Sequence, residues 1–150
     1  MKARINYSEV SPEAMKAMVG LEKYLASSGL EKPLYELVKL RASQINGCAY
    51  CIDMHAKDAR KAGETEQRLY ALNAWRETPF YTQRERAALA WTEELTLISE
   101  REVPDSLYEH VCSYFNEKEM VALSMAIVAI NGWNRLAIGF RTEPGTYKAR

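Results

Sequence analysis

Apolar residues recur along this chain at the three- and four-residue spacing of helices, and no segment shows a convincing strand pattern. Helix-opening signals punctuate the pattern. Ser11-Pro12-Glu13 sets a capping hydroxyl before a proline at the first helical position. Thr82 and Glu85 have capping-box spacing, and Asn116 with Glu119 repeats it with an amide in the capping role. Between these marks the spacing predicts helices at about 12–27, 32–46, 48–62, 65–76, 83–99, 105–114 and 117–141. The expected fold class is therefore all-α, a single-domain bundle of about six to seven helices. Segment 117–141 is apolar on nearly every side as far as Asn131, which makes it a central helix. That much apolar surface in so small a domain implies subunit packing as well. The turn-rich run from Thr142 to Tyr147 either folds over a neighbouring surface or frays.

One helix carries chemistry. Asn46-Gly47 reads as a helix stop, after which Cys48-Ala49-Tyr50-Cys51 opens the next helix and His55 follows four residues later. With Cys48 at zero and about 100° per residue, Cys51 falls near 300°, Ile52 near 40°, His55 near 340°, Ala59 near 20° and Ala62 near 320°. Tyr50, Asp53, Lys57, Arg60 and Lys61 collect between about 120° and 220°, a polar side that should face water. The thiols and the imidazole accordingly point inward. Residues three and four apart lie roughly 5–6 Å from each other at Cβ, so Cys48 and Cys51 can approach disulfide geometry and Cys51 and His55 can touch. Unpaired backbone N–H groups and the helix dipole favour a thiolate at such a helix start. A Cys-x-x-Cys pair commonly has one thiol pKa drawn toward neutrality, and the thiolate is the reactive species.

Composition narrows the field. The 150 residues include 20 basic and 20 acidic side chains and are 47% hydrophobic, enough for a core in one domain spanning 1–150. The balanced charge offers no field for nucleic acid or anionic lipid. The first residues lack the apolar core of a signal peptide, and the longest apolar run, 120–130, is too short for a membrane span. Three cysteines in such a chain point to a reducing, cytoplasmic setting, where a Cys-x-x-Cys pair is catalytic or metal-binding rather than structural.

A closed zinc site needs four ligands; Cys48, Cys51 and His55 supply three, and His110 and Cys112 are remote and lack a second paired spacing. Cys112 reads as a core thiol and His110 as a surface or capping residue, since the two point about 200° apart. Trp75, Trp91 and Trp133, with Tyr70, Tyr81, Tyr108 and Tyr114, read as core and interface residues. Asn134 and Arg135 read as interface or helix-packing contacts that must find partners. Glu36 lies about 200° from Leu34, away from the apolar side made by Leu34, Leu37, Val38, Ala42 and Ile45. Periodicity alone reads it as solvated, although Leu40 and Ser43 share its side.

The series Glu36, Asn46-Gly47-Cys48-Ala49-Tyr50-Cys51, His55, Ala59 and Gly63-Glu64 resembles the alkylhydroperoxidase D-like branch of the carboxymuconolactone decarboxylase family. The runs Glu85-Arg86-Ala87-Ala88-Leu89-Ala90-Trp91 and Trp133-Asn134-Arg135-Leu136-Ala137 resemble it more loosely, so the likeness covers roughly 15–142. The resemblance implies an all-helical fold, a trimer or hexamer, and peroxide reduction by the cysteine pair. It also implies a role for Glu36, because members place a glutamate twelve residues before the first cysteine, joined through water to the histidine in a proton relay. The best-known alkylhydroperoxidase D has histidine directly before the second cysteine, where this chain has Tyr50. Decarboxylases of the wider family lack the cysteine pair, which argues against lactone decarboxylation.

The expected mechanism is that of a thiol peroxidase. Cys51 is the attacking thiolate, His55 takes its proton, Glu36 sets the charge of the imidazole, and Cys48 resolves the sulfenic acid to a disulfide; the same face allows the two cysteines to exchange roles. The expected partners are a small hydroperoxide and an external dithiol or thiol-carrying reductant protein; no cofactor or metal is called for. The alternatives are a general dithiol-disulfide oxidoreductase, a redox-sensing helical oligomer without turnover and, last, a metal-binding module.

Overall fold

Side-chain caps at Cys48, Thr65, Thr82 and Asn116 open four of the elements in the computed structural model, which describes residues 2–149, whereas the Ser11 hydroxyl expected to cap the helix at Pro12 makes no capping bond. The helices are α1 (Tyr7–Val10), α2 (Pro12–Ser27), α3 (Lys32–Asn46), α4 (Ala49–Lys61), α5 (Glu66–Tyr70), α6 (Gln83–Thr96), α7 (Asp105–Cys112) and α8 (Glu117–Phe140), with a 3-10 segment at Leu72–Glu77. No strand occurs among the described residues. The capping boxes expected at Thr82/Glu85 and Asn116/Glu119 both form, each with side chain and backbone bonded reciprocally. The short α1 had no signal strong enough to predict it.

The expected helix 65–76 is broken. Thr65 caps α5 by accepting from the Arg68 N–H, but Ala74 leaves helical geometry at φ −118° and ψ 28°. The tighter 3-10 winding aligns residues three apart, and Leu72 and Trp75 both enter the core. The Trp75 indole N–H donates to Glu93 at 2.8 Å, which anchors the segment to α6.

Helix α3 packs against α4, α6 and α8. One apolar cluster joins α2, α3, α6 and α8 around Leu34, Val38, Ala88, Leu123 and Ile127. A second, around Leu37, Leu40, Leu72, Trp75 and Leu89, fills the space toward α4 and the 3-10 segment. As a whole, α8 is long and apolar enough to cross a membrane by length and composition, and so exceeds the unbroken run 120–130. Its buried residues sit among α2, α3 and α6, yet Val121, Val128 and Ile138 stand more than two-fifths exposed, so α8 is not enclosed on every side as its composition suggested.

A polar network pins the end of α3 where the cysteine motif begins. Asn46 Nδ2 donates to Asn131 Oδ1 at 3.0 Å and to Asn134 Oδ1 at 2.8 Å, and Asn134 Nδ2 donates to Ser43 Oγ at 3.0 Å. Asn134 is fully buried, so it is a helix-packing residue within the chain. Arg135 is exposed and bonds to the Asn131 carbonyl of its own helix.

Candidate active site

Gly47 turns the chain from α3 into the motif. Its φ of 69° and ψ of 31° are left-handed, a conformation glycine adopts without the steric cost of a Cβ. Its N–H donates to the Gln44 carbonyl and the Cys48 N–H donates to the Ser43 carbonyl, so a Schellman turn closes α3. Cys48 is therefore the N-cap of α4, as the sequence suggested, and its sulfur accepts from the Cys51 N–H at 3.3 Å. Cys48 and Cys51 are joined in a disulfide, with Cα atoms 5.3 Å apart. Both are buried, as is His55 one turn further on.

Glu36 is where periodicity misleads. It is 7% exposed, and its Oε2 lies 2.9 Å from His55 Nδ1 with no water between. The carboxylate is covered by α4 of the same chain, so its burial requires no second subunit. A carboxylate can only accept, so Nδ1 carries the hydrogen and Nε2 of the neutral ring is left as a proton acceptor. That Nε2 is buried and has no hydrogen-bond partner. An orphaned buried imidazole nitrogen costs free energy unless something uses it.

Cys51, His55 and Glu36 line a cavity of about 590 Å³ together with Tyr35, Lys39 and Trp133. Sequence reasoning assigned no site role to the last three. Glu22 ties them together: its Oε2 accepts from Lys39 Nζ at 2.7 Å and from the Tyr35 hydroxyl, and its Oε1 accepts from the Trp133 indole at 2.8 Å. Burial pushes the Glu22 carboxyl up, but the Lys39 charge and the bonds from Lys39, Tyr35 and Trp133 outweigh it and hold the group below the usual glutamate range. Burial, the bond to Glu22 and the nearby charges of Glu22 and Glu36 push the Tyr35 hydroxyl well above its ordinary value, so it remains a donor. Lys39 could have been found from spacing, since it stands one turn from Glu36 on α3. Tyr35 and Trp133 carried no such signal.

The polar side of α4 is only partly in water. The C-terminal tail folds back along it: Gly145 N–H donates to Asp53, Lys57 Nζ donates to the Tyr147 carbonyl, and Lys61 Nζ donates to the Ala149 carbonyl. The Tyr147 hydroxyl donates to the Asp58 carboxylate, 2.8 and 2.9 Å from its two oxygens, and Tyr147 lines the cavity. Tyr50 is likewise half-buried and lines the cavity, whereas the wheel had placed it facing solvent. His110 and Cys112 lie on α7 and line no part of the cavity; His110 is exposed with its ring edge-on to Tyr114, and Cys112 is half-buried at the edge of the core. Among the described residues no group of three or more His, Cys, Asp or Glu side chains is placed to hold a metal ion.

The carboxymuconolactone decarboxylase family model matches residues 12–94, the stretch that holds Glu36, the cysteine pair and His55. The uncharacterized protein YdfG of Bacillus subtilis (strain 168) is 50% identical over 138 residues, covering 92% of this chain and 94% of that one. A crystal structure from Agrobacterium tumefaciens, of a protein of unknown function described as a putative antioxidant defence protein AhpD, superposes with a TM-score of 0.93 at 49% identity. That match covers 97% of this chain and all of the other. The alkyl hydroperoxide reductase AhpD of Maricaulis maris (strain MCS10) is 45% identical over a shorter stretch of 47 residues, 31% of this chain and 27% of that one. The matched sequence, the shared all-helical fold and the Cys-x-x-Cys pair establish that the chain belongs to the carboxymuconolactone decarboxylase family, in its alkylhydroperoxidase D-like branch.

Proposed function

We propose that the protein is a thiol-dependent peroxidase that reduces small hydroperoxides through Cys51 and Cys48. The observation that carries this reading is the His55–Glu36 bond beside Cys51, with an unbonded imidazole nitrogen in the same cavity. In the reduced protein His55 Nε2 takes the Cys51 proton, and the imidazolium so formed is stabilised by Glu36. The Cys51 thiolate attacks a peroxide oxygen, the O–O bond breaks, and the alcohol leaves with the proton from His55. Cys51 is then a sulfenic acid. The Cys48 thiol attacks its sulfur, water is lost, and the disulfide forms. An external dithiol returns the pair to its reduced state by exchange, becoming a disulfide itself.

Replacing Cys51 by Ser tests the reading. The variant should lose both hydroperoxide consumption and sulfenate trapping, and retention of either would overturn the assignment. Slow hydroperoxide turnover beside rapid reduction of a protein disulfide would instead identify a general dithiol-disulfide oxidoreductase. The reading also includes association of identical chains through the exposed side of α8. Val121 and Val128 stand two helical turns apart and open to solvent on an otherwise core-forming helix. Light scattering on the purified protein tests this, and a monomer at micromolar concentration would refute it.

A further inference from the structure

Beyond the cavity that holds Cys51, a second one of about 430 Å³ is lined by Cys48, Gly47, Gly139, Arg4 and Arg141. Cys51 lines only the first cavity and Cys48 only the second; Tyr50 and Ala137 line both and form the wall between them. The two cysteines of one disulfide thus line different openings. We propose that the reductant enters by the second cavity and attacks Cys48, while the peroxide enters by the first and meets Cys51, and that the reductant is a dithiol bearing negative charge. The proposal rests on the thiol-redox reading above and adds to it a separate docking site.

Charge separates the openings. Among the described residues, the charged ones lining the second cavity are Arg4 and Arg141, two guanidinium groups. Arg4 is held at its rim, with its backbone N–H donating to the Phe140 carbonyl and Nη1 to the Gly139 carbonyl at 2.8 Å. The first cavity carries three carboxylates, Glu22, Glu36 and Asp58, against Lys39 and the imidazole of His55. An anionic reductant is drawn to the two arginines of the second cavity and repelled by the carboxylates of the first.

The direction of attack also follows from the leaving group. A reductant thiolate attacks Cys48 Sγ, the Cys48–Cys51 bond breaks, and its electron pair leaves on Cys51. Cys51 is one turn from His55, where a thiolate is best stabilised, and a more stable leaving thiolate departs faster. The second thiolate of the reductant then attacks its own sulfur in the mixed disulfide and frees Cys48, which takes a proton from solvent. The reductant gives up two electrons and becomes a cyclic disulfide, and the protein pair gains both. Cys51 is thereby regenerated as the thiolate facing the peroxide cavity, so neither reactant has to vacate the other's opening.

The two half-reactions test this separately. Protein oxidised with diamide is mixed with dimercaptopropane sulfonate or with uncharged dithiothreitol, and free Cys48 and Cys51 are counted by alkylation and mass spectrometry. Protein already reduced is mixed with cumene hydroperoxide. Gly139 lines the second cavity and has open space where a Cβ would be, so Gly139→Leu adds a side chain there, and Ala49→Phe at an exposed position adds one from α4 as a second variant. Each should slow reduction by dimercaptopropane sulfonate at least about tenfold and leave the peroxide step within about twofold. Val19→Trp, which fills the first cavity from α2, should do the reverse. Arg4→Gln with Arg141→Asn should lower the preference for dimercaptopropane sulfonate over dithiothreitol. The proposal is overturned if the two second-cavity variants slow both steps alike or neither, and its charge assignment is overturned if the preference is unchanged. Failure of the wild-type protein to react with hydroperoxide would refute the peroxidase reading alone, because the disulfide-reduction arm needs no peroxide.

Discussion

Replacing Glu36 by Gln isolates the charge of the relay from its geometry. The amide oxygen of glutamine can still accept from His55 Nδ1, so the ring keeps its orientation while the carboxylate charge is lost. Both partners are enclosed, with side chains 4% and 9% exposed, so solvent screens the pair little. A net hydrogen bond to a charged group contributes roughly 1.5–3 kcal/mol and a neutral one roughly 0.5–1.5 kcal/mol. The difference of about 1.25 kcal/mol between the midpoints is a factor of about eight, of order ten, in the population of the imidazolium–thiolate pair. The rate constant for reduced protein with cumene hydroperoxide, followed by stopped-flow tryptophan fluorescence at neutral pH, should fall about tenfold in Glu36→Gln. It should fall further in Glu36→Ala, which removes the acceptor as well. Rates within about twofold of wild type for the glutamine variant, or a faster alanine variant, would refute the reasoning.

Other expectations concern stability and the tail. Glu22 titrates below its ordinary value in the folded chain, so the unfolded chain binds more protons in acid; the stability this contributes is present above the ordinary glutamate value and lost as pH falls through the lowered one. The destabilisation caused by Glu22→Gln, measured by urea unfolding, should therefore be larger at pH 7 than at pH 3. Leu123 is fully buried between α8 and its neighbours, and Leu123→Ala should cost about 2–5 kcal/mol by the same measurement. Removing the Tyr147 hydroxyl deletes its bond to Asp58, so Tyr147→Phe should loosen the tail by about 1 kcal/mol and raise its rate of cleavage in limited proteolysis severalfold.

Helix ends were legible where they are local. Thr82 with Glu85, Asn116 with Glu119, and Asn46-Gly47 satisfy backbone groups within a few residues of themselves, and each formed as expected. The shared inward face of Cys48, Cys51 and His55 was legible for the same reason, since one helix determines it. The position of Glu36 was not, because its partner lies 19 residues away on α4 and a wheel drawn for α3 contains no information about α4. Only the family resemblance pointed to it, and the direct contact replaces the water that the resemblance implied. The cluster of Glu22, Tyr35, Lys39 and Trp133 draws on three helices, and its Glu22–Trp133 bond spans 111 residues. Tyr147 reaches the cavity because the tail lies along α4, held by half-buried polar groups whose helical spacing marks a polar side but does not say what covers it. The break at Ala74 followed from tertiary demand, as burial of Leu72 and Trp75 overrode a segment that reads as continuous helix.

Peroxidase activity of this kind requires that hydroperoxide oxidise Cys51 and that Cys48 capture the product. Fully reduced protein given one equivalent of cumene hydroperoxide and examined by intact and peptide mass spectrometry tests it most directly. The account predicts loss of two hydrogens in a Cys48–Cys51 disulfide that dithiols reverse, and in Cys48→Ser a sulfenic acid on Cys51. A reduced pair left unchanged by the peroxide, or a sulfenic acid on Cys48 in Cys51→Ser with none on Cys51 in Cys48→Ser, would contradict it.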